Sequence, residues 1–351
     1  MSEIKTMALM EAYEKLDLPQ GERNLFSSPN WQRIIHQTYG LKPYGLKQFC
    51  KYIEHDGKIV SYFIYSAVHN FLEWKICVGS YCDYLDCHVS QPQHWQLFFE
   101  AIHKEYPRYR IAIRNLRDES ARHCASFAPL SEEKHHTLDV RDELDVLWRD
   151  SPRSFKVAYK RALSGGLKFK RCDRSYLPEF YRLHLRLRKN KYRIFPQPYG
   201  FFNNIWRQYM DQDKGILFGA FDGRGRMVAA QIYLVCGDGL YYKFSTSRQD
   251  ALQLKPNNLL IWEGIKFAKE RQLSWIDLGS SETDQEGLIW FKSHILKTFK
   301  EETIHHIGFA PKDYKFSRKR ILKVYTKLFT LPLMPDFMVR YGSKLIYPFL
   351  A

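Results

Sequence analysis

The sequence predicts an α/β protein in which one mixed-sheet unit occurs twice in tandem. Three observations predict it. Strand-like and helix-like segments alternate along the chain, they recur in the same order in both halves, and the spacing between corresponding elements is constant. The 351 residues suffice for two ordinary domains, and an apolar content of 45% provides core for each.

The first copy begins at HDGKIVSYFIYS, where Asp56-Gly57 is a turn pair before an apolar strand. A second strand is expected from Phe71 to Val78. Pro92 then opens a helix, PQHWQLFFEAIHKEY, with Trp95, Phe98, Phe99 and Ile102 on one face. YRIAIRN, around Ile111 and Ile113, reads as the closing strand. The second copy begins at FDGRGRMVAAQIYLVC, with Asp222-Gly223 as turn and Met227 to Cys236 as strand. GLYYKFSTS follows, Pro256 opens the helix PNNLLIWEGIKFAKER, and SWIDLGS closes the copy around Ile276. Asp222 lies 166 residues after Asp56, Pro256 lies 164 after Pro92, and Ile276 lies 165 after Ile111. Such constancy is the mark of a duplicated unit.

Outside the repeats, MSEIKTMALMEAYEKL reads as a short amphipathic helix within an N-terminal segment 1–24. The first unit spans 25–149 and the second 150–312, the boundary being set by Ser151-Pro152 in DVLWRDSPRSF. A basic helix follows from Arg153 to Leu163, and Ser164-Gly165-Gly166 ends it. LPEFYRLHLRLRKN reads as another helix, with Phe180, Leu183 and Leu187 at helical spacing. The loop IFPQPYGFF leads to a helix around Ile205 and Trp206, and residues 313–351 form a basic amphipathic tail.

The formal net charge of +16 calls for an anionic partner: nucleic acid, an anionic membrane surface or a phosphate-bearing substrate. No apolar run is long enough to span a bilayer. The chain's opening lacks the basic flank and apolar run of a secretion signal, and its seven cysteines are scattered. A cytoplasmic protein with reduced thiols is therefore expected. Cys77, Cys82 and Cys87 are spaced too widely for a zinc knuckle, and His135-His136 and His305-His306 lack the spacing of helical ligands, so no metal is expected.

The second half resembles the catalytic half of the FemAB-like proteins, the acyltransferases that include peptidoglycan bridge-forming enzymes. The resemblance rests on RSFKVAYKRAL, LHLRLRKNKYRIFPQPYGFF, FDGRGRMVAAQIYLV, YYKFSTS, LKPNNLLIWEGIKFA and WIDLGSSETDQEGLIWFKSHI, in that order from Ser151 to Lys297. LFSSPNWQRIIHQTYG resembles the family's beginning. The resemblance implies a tandem duplicated GNAT fold and transfer of an acyl or aminoacyl group to an amine in a bacterial cell-envelope pathway. The donor would be acyl-CoA or aminoacyl-tRNA, and the acceptor a polysaccharide amino sugar or a muropeptide. No redox cofactor or metal is implied.

On this resemblance Lys292, after Phe291 in IWFKSHI, matches the family's Phe-Lys pair. It is expected to stabilise the oxyanion of acyl transfer, with Phe291 contacting substrate. A surface lysine beside a packed phenylalanine is the plainer alternative. Asp277, in the strand WIDLGS, either orients the acceptor amine and takes its proton or anchors a loop. Arg188 aligns with a family arginine and either grips an anionic acceptor or belongs to a solvated basic helix. Tyr242 and Lys243 lie on the central strand pair, where Tyr242 lines an acyl cleft or packs in the core. Lys255, Pro256, Asn257, Asn258 and Leu259 form the helix start that would face donor phosphates in a GNAT fold. An acyl-CoA-binding GNAT usually has a Gly-x-Gly turn there; this chain does not.

Two further surfaces admit two readings each. Arg153, Lys156, Lys160, Arg161, Lys168, Lys170 and Arg171, interleaved with aromatics, form either a tRNA-binding face or a solvated one. The tail either lies on an anionic membrane, at the inner face of the plasma membrane, or packs on the protein. A non-catalytic RNA-binding or membrane-associated scaffold is the competing function.

Overall fold

The computed structural model describes residues 4–18, 24–40, 46–69, 73–117, 119–312, 314 and 319–347. The chain divides into two compact units. One comprises Met1–Glu133, Thr303–Val324 and Pro348–Ala351, and the other Lys134–Glu302 and Tyr325–Tyr347. The division falls ahead of the expected break at Ser151-Pro152, because the strand before that break pairs within the second unit.

The first unit contains β1 (Ile4–Ala8), α1 (Leu9–Lys15), α2 (Pro29–Ile35), β2 (Lys47–His55), β3 (Lys58–His69), β4 (Trp74–Val78), the two-residue β5 (His88–Val89), α3 (Gln93–Glu105) and β6 (Arg110–Asn115). It also holds the first part of β7 (Ala128–Asp139) and the last part of β13 (Phe299–Phe309). Its strands run in the order β1-β2-β3-β4-β6-β13. The β1–β2, β2–β3, β3–β4 and β6–β13 pairs are antiparallel, whereas β4–β6 is parallel and needs α3 as its crossover. The predicted face of α3 is the buried one: Trp95, Phe98, Phe99 and Ile102 pack with Phe63 and Tyr65 of β3. Asp56 and Gly57 both have positive φ, 50° and 74°, the geometry of a two-residue hairpin turn.

Two expectations change here. The opening is not all helix, since Ile4–Ala8 pairs with the edge of β2 before α1 begins. Tertiary pairing outweighs local propensity at that edge. The start of the expected strand at Phe71 lies outside the described residues, and β4 runs from Trp74.

The second unit contains the end of β7, α4 (Leu144–Asp150), α5 (Arg153–Ser164), β8 (Lys168–Cys172), α6 (Leu177–Leu187), α7 (Tyr199–Gln208), β9 (Gly215–Phe221), β10 (Met227–Cys236) and β11 (Gly239–Ser247). These are followed by α8 (Pro256–Glu270), β12 (Trp275–Glu282), α9 (Glu286–Ser293), the beginning of β13, the end of α10 (Lys319–Phe329) and α11 (Asp336–Ile346). The order is β7-β12-β11-β10-β9-β8. The path β8-β9-β10-β11 is antiparallel and β11–β12 is parallel, with α8 crossing between them. This is the β1-β2-β3-β4-α3-β6 arrangement of the first unit again. The β9–β10 turn differs in detail. Gly225 has the positive φ, 74°, and the Asp222 carboxylate accepts the N–H groups of Arg224 and Arg226. The turn is thus centred past the expected Asp222-Gly223.

The second core lies around α8, whose Leu259, Ile261, Trp262, Ile265 and Phe267 are buried with residues of β9, β10 and β12. α5 covers α8 through Phe155 and Tyr159, whose rings lie 6.4 Å from that of Trp262. On β11, Phe244 packs against Phe202 of α7 at 5.1 Å. Among the described residues no helix is long and apolar enough to cross a membrane.

Candidate functional site

β11 and β12 keep register for only three pairs, Gly239↔Trp275, Leu240↔Ile276 and Tyr241↔Asp277. Beyond that β11 continues to Ser247 and β12 to Glu282, so the strands diverge. Past Tyr241↔Asp277 the two strands no longer pair, which leaves a wedge between them in the sheet. A bulge adjoins this point: Ile232 pairs with Phe244 and Tyr233 with Tyr242, so Lys243 has no opposite residue on β10. Bulges of this kind re-aim a side chain and increase local twist.

The divergence is held on the β12 side. Gly279 sits at φ 72°, a left-handed conformation inside a strand. Its N–H donates to Asp277 Oδ1 at 2.6 Å, and its carbonyl accepts from Lys292 Nζ at 2.9 Å. Lys292 also donates to Ser280 O at 3.0 Å and Ser281 Oγ at 2.9 Å. Its three N–H donors are therefore matched by three acceptors on the bend, and the side chain is buried. The other carboxylate oxygen of Asp277 accepts from His135 Nε2 at 2.9 Å.

This geometry differs from the sequence expectation for Lys292 and Asp277. Neither presents a free polar tip to a cleft: both are buried and spent on the backbone of 279–281 and on His135. Of the readings left open for Asp277, the geometry is that of a loop anchor. Its burial excludes the surface-lysine alternative for Lys292.

The sequence offers no reason to single out His135, because two adjacent histidines make no ligand pattern. Burial opposes its protonation, but Asp277 and then Glu302 outweigh burial and raise its pKa to about 9. Next to it His136 is fully buried and stacked on Phe299 at 5.3 Å. Burial first, then the charges of Lys292 and His135, push its pKa down to about 3. No signal within a single strand marks His135, because its partner is 142 residues away.

The wedge is flanked by the start of α8. Lys255 occupies the N-cap at φ 58° and ψ 41°, with Pro256 in the first turn and no side-chain cap. The Asn258 and Leu259 N–H groups donate to Lys255 O at 3.1 and 3.5 Å. Asn257 is half-buried, and its Oδ1 has no hydrogen-bond partner among the described residues. Leu259 is core rather than ligand-facing.

Tyr242 is also largely core: its ring lies 5.6 Å from that of Tyr233, and burial pushes its phenol up to about 12. Phe291 is partly buried against the same core. Arg188 begins a five-residue π turn after α6 and is half-buried, and its Nε has no partner among the described residues. It faces inward, toward His184, whose pKa burial and then the Arg188 charge lower, and toward Tyr347, whose phenol burial raises against the opposing pull of Arg188. The solvated-helix alternative is thereby excluded.

Nothing in the sequence singles out His184. It is buried among Phe180, Phe202 and Phe244 at 5.9, 5.0 and 6.2 Å, and its Nε2 meets Gln197 Oε1 at 2.8 Å. Burial and then Arg188 push its pKa down to about 3, so it is a neutral imidazole. Helical periodicity makes it one more inward residue of α6, which is why it did not stand out.

Residues 149–286 match the Acetyltransferase (GNAT) domain family. No curated protein matches the sequence. Among solved structures, the fold is similar to that of FemX, with a TM-score of 0.60, 13% identity, and 92% of this chain and 100% of that one covered. It is similar to L-PGS from Bacillus licheniformis, with a TM-score of 0.53, 12% identity, and coverage of 87% and 98%. A tandem GNAT protein from the clavulanic acid biosynthesis pathway gives a TM-score of 0.54, 11% identity, and coverage of 89% and 100%. At these identities the likeness is one of fold: the chain has a tandem GNAT fold.

Proposed function

We propose that this tandem GNAT protein transfers an acyl or aminoacyl group from acyl-CoA or aminoacyl-tRNA to an amine of a cell-envelope precursor. One observation carries the reading: β11 and β12 part after Tyr241↔Asp277, beside the start of α8. The GNAT-domain match over 149–286 and the likeness to FemX and L-PGS support it.

An extended donor arm entering the wedge would be held as a third strand, exchanging backbone hydrogen bonds with the strand edges. Its carbonyl would lie between the parted strands, where backbone N–H groups are the kind of fixed donor that meets developing negative charge. The neutral acceptor amine attacks the carbonyl carbon. The C–S bond of a thioester, or the C–O bond of an aminoacyl ester, breaks, and the leaving group takes up the proton shed by nitrogen. Lys292 and Asp277 act on this reaction as positioning residues, by holding the bend at Gly279 that keeps the wedge open. Arg188, with an inward guanidinium, is the group for an anionic acceptor.

The donor's phosphates belong at Lys255. Its left-handed φ of 58° reproduces the conformation a turn glycine would supply, at a cost of about 1 kcal/mol for a residue with a Cβ. A lysine kept in that conformation brings a cation to the helix start. Acetyl-CoA is the simplest probe. Saturable binding by calorimetry, weakened when Lys255 is replaced, supports the reading. Absence of binding by acetyl-CoA, and by an aminoacyl-tRNA in filter retention, would leave the fold as a scaffold.

A further inference from the structure

The segment Tyr325–Tyr347 packs into the second unit by one face only. On α11 the inner face carries Val339, Gly342 and Ser343, all buried, and Ser343 donates its hydroxyl to Pro196 O. Lys189 donates to Met334 O and to Asp336 Oδ1, and Arg193 to Thr330 O. The outer face is also apolar. Phe337, Tyr341 and Leu345 recur every four residues and are exposed, Phe337 by 70% and Tyr341 by 66%. Leu328 and Leu331 are exposed at the end of α10 and just beyond it, and Leu333, between Pro332 and Pro335, is 95% exposed. A leucine raised on a proline-bracketed loop beside an aromatic row is an apolar patch that a solitary soluble surface rarely keeps.

We infer that this face docks on an anionic lipid bilayer. Charge selects the occupant. The segment's one acidic side chain, Asp336, is matched by Lys189 at 3.0 Å and Arg186 at 3.4 Å. Lys327, Arg340 and Lys344 are exposed on the same segment. An apolar stripe on a segment with exposed cations and one paired carboxylate suits the interface of a membrane bearing negative headgroups, where long basic side chains keep their charge in the headgroup layer. The chain's formal charge of +16 works in the same direction. The inner face explains why deletion of the tail is a poor test: it would strip buried contacts from the second unit. The inference does not depend on acyl transfer.

The test uses the full chain and vesicles of phosphatidylcholine with or without phosphatidylglycerol, read by co-sedimentation. Partition onto the anionic vesicles should exceed that onto the neutral ones by at least about tenfold and fall with added salt. Leu333→Asp and Phe337→Asp should each reduce it by about tenfold or more, with unchanged thermal unfolding because both side chains are exposed. Acetyl-CoA binding in solution should be unaffected, which keeps this outcome separate from the fate of the acyl-transfer reading. Failure to partition onto anionic vesicles, or equal partition by the Asp variants, overturns the inference. So does a concentration-dependent dimer abolished by the same variants, which would assign the face to a second copy of the chain.

Discussion

Lys292 and Asp277 grip one residue from two sides: Gly279 gives its N–H to the Asp277 carboxylate at 2.6 Å and its carbonyl to the Lys292 ammonium at 2.9 Å. The bend they clamp lies just past the last β11–β12 pair, where the sheet opens. Lys292→Ala should therefore act on both stability and donor binding. Leaving two carbonyls and a hydroxyl without their donor should cost about 1–3 kcal/mol in urea unfolding, and acetyl-CoA affinity and turnover should fall with it. Lys292→Arg should rescue little, because a planar guanidinium does not reproduce three donors converging from one nitrogen. An alanine variant that loses turnover at unchanged stability would return Lys292 to a direct oxyanion role.

The His135–Asp277 pair sets a pH window. His135 has a folded pKa of about 9, above its unfolded value, so its contribution is present in full below about pH 6.5 and lost as pH rises through 9. Asp277, held below its usual value by His135 and the Gly279 N–H despite burial, contributes above about pH 4 and loses this under acid. His136 works oppositely to its neighbour. Its folded pKa of about 3 means that its contribution is present above about pH 6.5 and lost as pH falls. The stability gap between the native chain and His135→Gln should be widest near pH 6 and shrink by pH 9. Urea unfolding at the two pH values measures it, and a gap independent of pH would show that the pair does not titrate as a unit.

Lys255→Gly should separate conformation from charge. Glycine accepts φ 58° freely, so thermal stability should rise by about 1 kcal/mol. If the ammonium meets donor phosphates, acetyl-CoA affinity should drop about three- to tenfold in calorimetry even as the protein becomes more stable. A gain in stability with unaltered affinity would leave Lys255 as a helix cap.

Gly264→Ala tests the packing of α8 on the sheet. A Cβ at Gly264 would lie 2.5 Å from the Tyr233 hydroxyl, which is buried and donates to Gln231 Oε1 at 2.8 Å. The ring is enclosed on all sides, so the clash should cost about 1–3 kcal/mol. The urea midpoint should fall, and an unchanged midpoint would mean that α8 can shift freely over β10.

Much of the fold was legible because its signals are local. The apolar face of α3 and the strand–strand–helix–strand order repeated at an offset near 165 depend on residues a few positions apart, and the sheet topologies of both units follow them. β1 was not legible, because five alternating residues next to a helix become a strand only where an open sheet edge receives them. The site was legible as a set of segments and not as a set of roles. Sequence drew attention to Lys292, Asp277 and the start of α8. Whether an ammonium faces a ligand or three backbone and hydroxyl oxygens depends on which chain stretches the fold brings beside it. Asp277 finds His135 from 142 positions away, and His184 gains its aromatic surroundings from α7 and β11. Side-chain chemistry and local periodicity travel with the sequence. Burial, partners and the resulting protonation states are properties of neighbours that only tertiary packing supplies.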